Sequence, residues 1–287
     1  MNRRQLLTLP GLAAAHSLRP APALAQAGRA GVTRYVRFRI GTSGPVYGIL
    51  DGETIRELKG NLFEDPAETG AKHKLADVKL LYPVRPTKIL ALAGNYQSHL
   101  GAAPPRSNPE PFYKPLTCLQ NPGDPIRLPK DATNVHSECE LVIVIGKRAK
   151  AVTAAQARDH IFGVTCGNDV SERIWQNDAK VKDVQWWRAK GADTFGPVGP
   201  AIARGLDYGN LEIQTRLNGK VIQKDSTSHL VHDCPTVVSF ISQYVTLMPG
   251  DLIFTGTPGK TSPMKAGDVA EVEIQGVGIL RNPVRNA

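Results

Sequence analysis

The stretch His136-Ser-Glu-Cys-Glu-Leu-Val-Ile-Val-Ile-Gly-Lys147 places two glutamates immediately before a continuous apolar run. That run, residues 141–145, is rich in β-branched side chains and predicts a strand that enters a core. Side chains alternate between the faces of a strand, so Glu138 and Glu140 point the same way, about 6.6 Å apart. Two such carboxylates repel each other unless a positive charge lies between them, and a hard divalent cation is the simplest candidate. The alternative is a solvated strand end with both glutamates in water, and the spacing alone leaves it open.

Length and composition are those of a folded protein with one large or two modest domains. The chain has 287 residues, of which 41% are hydrophobic and 21% charged, within the usual range for globular proteins. No stretch approaches the roughly 18 uncharged apolar residues of a membrane-spanning helix, so we expect no membrane span. The four cysteines, at positions 118, 139, 166 and 234, lack the spacing of a zinc site. We expect them to be small buried residues, with a disulfide left open.

Residues 1–27 predict a signal peptide. Arg3 and Arg4 precede a short, weakly apolar stretch, and Ala25-Gln-Ala27 has the A-x-A pattern of a cleavage site. The paired arginines resemble a twin-arginine signal, and a general secretory signal is the first alternative. A disordered basic tail is a less favoured alternative. Either signal implies export, and we expect a periplasmic protein.

The charge of the mature chain favours a small anionic substrate. Removing residues 1–27 removes three arginines and no acids, which leaves 32 basic and 26 acidic residues and a net charge of +6. A nucleic-acid-binding protein would concentrate Lys and Arg in a stripe with interleaved aromatic residues. This sequence has no such stripe, so we expect no nucleic-acid partner.

The order of patterns along the chain predicts an α+β fold that is predominantly β. We expect a small β-rich N-terminal domain over residues 28–84, including a polar, helix-permissive stretch at 61–76, and a larger domain over residues 85–287. Asn218-Gly219 between two alternating runs predicts a two-residue hairpin. Apolar residues at helical spacing predict a helix over residues 234–245.

Several separated motifs carry a resemblance to a known family. They are the Glu-x-Glu strand, Gly94-Asn-Tyr-Gln-Ser-His99, the Asn-Asp169-Val-Ser-Glu-Arg173 segment, the Arg-Ala-Lys190-Gly segment, and Asp251-Leu-Ile-Phe-Thr-Gly-Thr-Pro258. In this order they resemble the fumarylacetoacetate hydrolase family, over some 200 residues from Lys88 onward. The resemblance implies a fumarylacetoacetase C-terminal-like mixed β-roll or sandwich, and a homodimer.

The resemblance also implies a metal site and two catalytic residues. Glu138, Glu140 and Asp169 match the family's metal ligands, and three carboxylates favour Mg²⁺ or Mn²⁺ over zinc or copper. Lys190 matches the lysine that stabilises an oxyanion or enolate. His99 matches the catalytic histidine, which takes a proton from water or carbon.

Other polar residues are expected around the substrate. Gln223 and Thr257 match positions that line the family's substrate pocket, although either could instead be a strand-end or turn residue. Tyr96 and Arg106 are further candidates for substrate binding. Arg173 is expected to brace the fold by ion pairing and not to contact the substrate. His136 precedes the two glutamates and faces the same side of the strand, so it could contact the metal ligands without binding the metal. The histidines at positions 160, 229 and 232 have no supporting context.

One position departs from the family pattern. Many hydrolases of the family have a glutamate three residues after the histidine, where this chain has Ala102. Without that carboxylate, the imidazolium that forms during catalysis lacks a stabilising partner. Glu110, on the neighbouring Pro-rich loop, is a candidate replacement.

The resemblance therefore implies an enzyme with an open choice of reaction. We expect a divalent-metal-dependent hydrolase that cleaves a C–C bond of a small 2,4-dioxo acid, of the acylpyruvate or fumarylpyruvate kind, through an enolate. Ala102 shifts weight toward the alternatives, an isomerase or tautomerase, or a decarboxylase, acting on a 2-oxo or 2-hydroxymuconate-type acid. The alternative of another class is a non-catalytic exported protein that binds organic acids.

Overall fold

The computed structural model describes residues 31–287, so the predicted signal peptide at residues 1–27 lies outside the described residues. Strands dominate the described part of the chain, which confirms the predominantly β class. The strands are β1 Thr33–Arg39, β2 Val46–Asp51, β3 Thr54–Lys59, β4 Ala67–Lys74, β5 Lys79–Leu81, β6 Ile89–Leu92, β7 Pro111–Lys114, β8 Leu119–Gln120, β9 Ile126–Leu128, β10 Val135–Ser137, β11 Cys139–Ile145, β12 Ile161–Asn168, β13 Ser171–Glu172, β14 Gly196–Arg204, β15 Glu212–Leu217, β16 Lys220–Ser226, β17 Leu252–Phe254, β18 Ser262–Pro263, β19 Val269–Ile274 and β20 Gly278–Asn286. The α-helices are α1 Gln97–Leu100, α2 Ala154–Ala157, α3 Arg173–Asn177 and α4 Cys234–Tyr244. Single 3₁₀ turns cover Leu75–Asp77, Leu116–Cys118, Arg158–His160 and Thr227–His229.

The largest sheet places the glutamate strand near its centre. Its main path runs β4-β3-β2-β1-β14-β12-β11-β17-β6-β7, with β5 beside β1 and β8 beside β14. All seven residues of β11 are buried, because strands lie on both sides of it and cores cover both faces. A strand covered on both faces has a continuous apolar run instead of an alternating one. The predicted strand over residues 141–145 is therefore confirmed.

A second, five-stranded sheet packs against the first. Its order is β16-β15-β19-β20-β9, and a three-stranded sheet of β13-β10-β18 lies beside the site described below. One core joins Ile143 of the large sheet, Val272 of the second sheet and Val238 of α4. Neither sheet closes into a barrel. This packing holds the start of β11 and the end of β12 in fixed positions.

The N-terminal β-rich segment continues the large sheet. β1 pairs antiparallel with β14, and Tyr35 lies opposite Ile202. The expectation that the polar stretch at residues 61–76 could form a helix is wrong. This stretch contains strand β4 and the start of a single 3₁₀ turn. β4 is the outermost strand, and seven of its eight residues are exposed. A polar sequence is compatible with a strand that faces water on both sides at a sheet edge.

Other local expectations are confirmed. Asn218 and Gly219 join β15 to β16 and have φ of 52° and 80°, the positive values that a two-residue hairpin turn favours. α4 begins after Asp233, whose side chain accepts a hydrogen bond from the Thr236 N–H, as an N-cap does. All four cysteines are free and buried. Within residues 31–287, no helix combines the length and apolarity needed to cross a bilayer.

Candidate active site

Three carboxylates meet where β11 begins and β12 ends. Cys139 pairs with Asn168 across these strands, so Asp169 lies next to Glu138 and its N–H donates to the Glu138 carbonyl over 3.0 Å. One oxygen of each of Glu138, Glu140 and Asp169 lies within 4.8 Å of the other two. All three residues are at most 2% exposed. The alternative of a solvated strand end is therefore wrong.

Two cations contact the Asp169 side of this cluster. Lys190 Nζ donates to Glu138 Oε2 at 2.7 Å, to Asp169 Oδ2 at 2.6 Å and to the Ser171 hydroxyl at 2.8 Å. Lys114 Nζ donates to Asp169 Oδ1 at 2.5 Å. Burial disfavours the charged Lys190 ammonium, but Asp169 and Glu138 outweigh burial and raise the pKa of Lys190. Lys190 therefore stays protonated in the site.

The two glutamates have different partners. Glu138 also accepts a hydrogen bond from Arg173, as the expected bracing role requires. Burial would raise the pKa of Glu138, but Lys190 and Arg173 outweigh burial and hold it well below its usual range. Glu140 accepts a hydrogen bond from the Gly256 N–H at 2.7 Å, and within residues 31–287 no cation forms an ion pair with it. Burial, with the charges of Asp169 and Glu138, raises the pKa of Glu140 well above its usual value.

This donor set fits a hard divalent cation. The cluster offers carboxylate oxygens and neither sulfur nor imidazole nitrogen, which is the chemistry that Mg²⁺ and Mn²⁺ prefer. A cation there would also relieve the repulsion around Glu140, which forms no ion pair among residues 31–287. The residues present therefore fit the metal that the resemblance implies.

A cavity of about 210 Å³ opens onto two of the three carboxylates, Glu138 and Glu140, whereas Asp169 does not line it. Its wall brings together Glu138, Glu140 and Lys190 with three other expected site residues, His99, Arg106 and Thr257. Gln176, Asn177 and Trp186 complete its polar and aromatic lining. His99 and Thr257, which are 158 positions apart in sequence, thus share one cavity.

His99 has a backbone partner instead of a carboxylate. Its Nδ1 lies 2.6 Å from the Gly259 carbonyl oxygen, and a carbonyl can only accept, so Nδ1 carries the proton and Nε2 is the basic nitrogen. In the described part of the chain, no carboxylate hydrogen-bonds to this ring. Glu110, the candidate replacement acid, instead pairs with Arg106 at 2.8 Å, and both side chains are more than half exposed.

Two expected substrate-binding residues lie behind the cavity wall. Gln223 uses both ends of its amide: Nε2 donates to the Thr257 hydroxyl at 3.0 Å and to the Pro258 carbonyl, and Oε1 accepts from the Thr215 hydroxyl at 2.7 Å. Tyr96 is fully buried, and its hydroxyl has no hydrogen-bond partner among residues 31–287. Neither lines the cavity, so direct contact with a substrate is not supported for either. Gln223 instead orients Thr257.

Sequence reasoning missed part of the site. No sequence motif indicates Lys114, although a lysine at the end of the short strand β7 is an unusual residue to bury. Gln176, Asn177 and Trp186 follow or precede quoted motifs, but no spacing rule directs them to this cavity.

The other histidines within residues 31–287 do not line this cavity. His136 Nδ1 contacts the Thr261 hydroxyl at 2.8 Å, and that hydroxyl also accepts from Arg173. Burial, with the nearby Arg173, lowers the pKa of His136 to about 4, so it stays neutral near pH 7. The ring of His229 contacts the Asp225 carboxylate. The ring of His232 contacts the Arg106 carbonyl.

Comparison with known proteins decides the family. Residues 88–285 match the fumarylacetoacetate (FAA) hydrolase C-terminal family. The chain belongs to this family. Residues 33–83 match the Rv2993c-like N-terminal family, so both parts of this fumarylacetoacetate hydrolase family chain have known counterparts.

The names of relatives in the family include different activities, an isomerase and a hydrolase among them. Protein Rv2993c of Mycobacterium tuberculosis is 45% identical over 254 residues, 84% of this chain and 94% of that protein. The structure of 5-carboxymethyl-2-hydroxymuconate delta-isomerase from Mycobacterium smegmatis is 42% identical, with a TM-score of 0.82, and the match covers 88% of this chain and 100% of that one. Maleylpyruvate hydrolase from Sphingobium sp. SYK-6, in complex with manganese(II) and pyruvate, is 30% identical, with a TM-score of 0.73 and coverage of 88% and 99%.

Proposed function

We propose that this protein is a divalent-metal-dependent isomerase or tautomerase that moves a proton within a small 2-oxo or 2-hydroxymuconate-type acid. The observation that carries the proposal is the state of His99. Its Nδ1 donates to a backbone carbonyl, His99 lies on the cavity wall, and among residues 31–287 no carboxylate hydrogen-bonds to its ring to help it activate water. A base of this kind suits proton transfer between two atoms of one substrate better than hydrolysis.

Glu138, Glu140 and Asp169 would hold Mg²⁺ or Mn²⁺. When bound, the cation would act as a Lewis acid that polarises the 2-oxo group of the substrate. The manganese(II) in the Sphingobium relative supports this metal class.

The chain's own residues would then share the proton transfer. His99 Nε2 would take a proton from the carbon next to the carbonyl and return it to another atom of the same substrate, so no water is consumed. The Lys190 ammonium would stabilise the negative charge that develops on the substrate oxygen. Thr257, held by Gln223, would contact the substrate from the cavity wall.

Arg106 supports a substrate with a second carboxylate. Arg106 lies on the cavity wall, and its guanidinium is paired with Glu110 in an exposed i,i+4 contact. Exposed pairs of this kind contribute little stability, whereas a guanidinium binds a carboxylate well in two-point geometry. A substrate carboxylate could therefore replace Glu110, which favours dicarboxylic acids.

Hydrolysis of a C–C bond in a 2,4-dioxo acid is the second candidate. It is favoured by the exposure of Glu110, whose side chain is 55% exposed and could reach His99 if the loop moved. The hydrolase among the relatives supports the same possibility. In that case Glu110→Gln would abolish turnover with the true substrate, whereas the isomerase proposal expects turnover to persist.

A panel assay separates these candidates. The purified protein, loaded with Mg²⁺ or Mn²⁺, is incubated with acylpyruvates, oxaloacetate and hydroxymuconate-type acids, and the products are followed by NMR. The proposal expects isomerisation or tautomerisation with the carbon skeleton intact. Release of pyruvate with a second acid would favour the hydrolase, loss of CO₂ a decarboxylase, and tight binding without turnover a non-catalytic binder.

We also propose export through the twin-arginine route and a homodimer. Residues 1–27 support the first, and the family resemblance supports the second. N-terminal sequencing of protein from a periplasmic fraction should find a start near Gly28, and light scattering should give twice the chain mass. A cytoplasmic, uncleaved chain or a monomer would contradict the respective proposal.

A further inference from the structure

Lys114 is a buried cation that lies beside the carboxylates. The proposed reaction assigns it no role. It ends strand β7, and its side chain is fully buried. Its ammonium donates to Asp169 Oδ1 at 2.5 Å, to the Lys190 carbonyl, and to the Phe195 carbonyl at 3.3 Å. An ammonium has three N–H groups and accepts no hydrogen bond. All three are occupied, so Lys114 has no donor left for a substrate.

These contacts fix two parts of the site at once. Lys114 holds Oδ1 of Asp169 while Lys190 contacts Oδ2, so the carboxylate cannot rotate about its Cβ–Cγ bond without losing a contact to one lysine. The same ammonium holds the backbone carbonyl of Lys190. The carboxylate and the lysine proposed to act beside it are therefore joined through one side chain, which reaches them from a strand 55 residues before Asp169.

We propose that Lys114 is a positioning residue that orients Asp169 toward the metal site and fixes the Lys190 backbone beside it. This inference rests on the proposed metal site. One effect opposes it, because a cation near a divalent ion repels that ion, so removing Lys114 could tighten metal binding. The two carbonyl contacts favour positioning, since a mere counter-charge does not need them. Loss of a residue that orients a metal ligand typically weakens metal affinity about 10- to 100-fold.

The experiment measures Mn²⁺ affinity of the purified, metal-stripped full chain, by the electron paramagnetic resonance signal of free Mn²⁺. The test variant is Lys114→Met, and the matched control is Lys88→Met. Lys88 also pairs with a fully buried carboxylate, that of Asp251, outside the cavity wall. Both variants lose an ion pair to a buried acid and should lose thermal stability. Only Lys114→Met should bind Mn²⁺ about 10- to 100-fold more weakly.

A double-mutant cycle tests the route of the effect. In an Asp169→Asn background, Lys114→Met should weaken Mn²⁺ binding much less than in the wild type, because the group that it orients has changed. If Lys114→Met does not fold, Lys114→Gln, which keeps N–H donors without the charge, carries the same measurements.

The outcomes separate this inference from the proposed function. Unchanged or tighter Mn²⁺ binding by Lys114→Met, with normal binding by the wild type, would overturn the positioning role alone. An equal loss of affinity in Lys88→Met would also overturn it, as a general effect of instability. Absence of Mn²⁺ binding by the wild type would overturn both proposals.

Discussion

Glu138 and Glu140 should respond oppositely to removal of their charge, although one residue separates them. Glu138 accepts from Lys190 and Arg173, so Glu138→Gln leaves two cations around a neutral amide, whose NH₂ group faces one of them. Breaking a buried pair costs about 3–5 kcal/mol. For a chain of this size, that corresponds to a fall in Tm of roughly 6–20 °C.

Glu140→Gln should leave the metal-free protein as stable as the wild type, or more stable. The amide oxygen can still accept from the Gly256 N–H, and the change removes a buried charge that repels Asp169 and Glu138. Retaining one hydrogen bond while losing that repulsion should change the free energy of unfolding by about 1 kcal/mol or less, or raise it. Mn²⁺ affinity should nevertheless fall by about 100-fold or more, because one of three proposed ligands has lost its charge.

The assay is thermal and urea unfolding of the chelator-treated proteins, followed by Mn²⁺ titration of each. The raised pKa of Glu140 also determines the direction in which the stability of the metal-free protein changes with pH. The folded state binds this proton more tightly than the unfolded state, so the stability it contributes is full below about pH 4.3 and lost as the pH rises through the folded pKa. The stability of the wild type should thus fall relative to Glu140→Gln as the pH rises. Equal destabilisation by both glutamine variants would refute this reasoning.

Three further predictions concern catalysis and substrate choice. His99→Asn should lower kcat about 10²- to 10⁴-fold and leave Mn²⁺ affinity unchanged; a parallel loss of Mn²⁺ binding would show a structural role instead. Arg106→Gln should raise KM about tenfold or more for a 2-oxo dicarboxylic acid and little for a matched monocarboxylic acid, and equal effects on both would contradict the assigned contact. Glu110→Gln should leave isomerisation within about threefold of the wild type, since that exposed pair contributes little, and abolished turnover would favour the hydrolase.

The parts of the fold that follow from local pattern were predictable from sequence. The strand after Glu140 shows its burial through consecutive β-branched residues, and the Asn218-Gly219 turn follows from backbone preferences at two positions. The helix that begins at Cys234 follows from apolar spacing. Each of these depends on residues within about ten positions of one another, so the sequence carries the signal directly.

The rest depends on contacts between distant segments. The metal cluster forms because β12 pairs with β11, and only the family motifs indicated that Asp169 would join the glutamates. Lys114 reaches the site from the separate strand β7, and no local pattern gives that strand's place in the sheet. Tyr96 lies in a family motif, yet packing buries its ring away from the cavity. Position within a motif therefore did not determine which side chains face the cavity.

In the proposed reaction, His99 moves a proton within the substrate at a site that needs the carboxylate cluster and a divalent cation. The most direct test follows deuterium incorporation beside the carbonyl of a 2-oxo dicarboxylic acid in D₂O, by NMR, at matched free Mn²⁺. We expect exchange with the wild type, because the N–H proton that His99 gains can be replaced by deuterium from the solvent before it is returned to the substrate. Exchange should be lost after chelation and in Glu140→Gln, and also in His99→Asn despite normal Mn²⁺ binding, all with the carbon skeleton intact. Exchange at the wild-type rate in His99→Asn, or cleavage products that form as fast as deuterium enters, would contradict the claim.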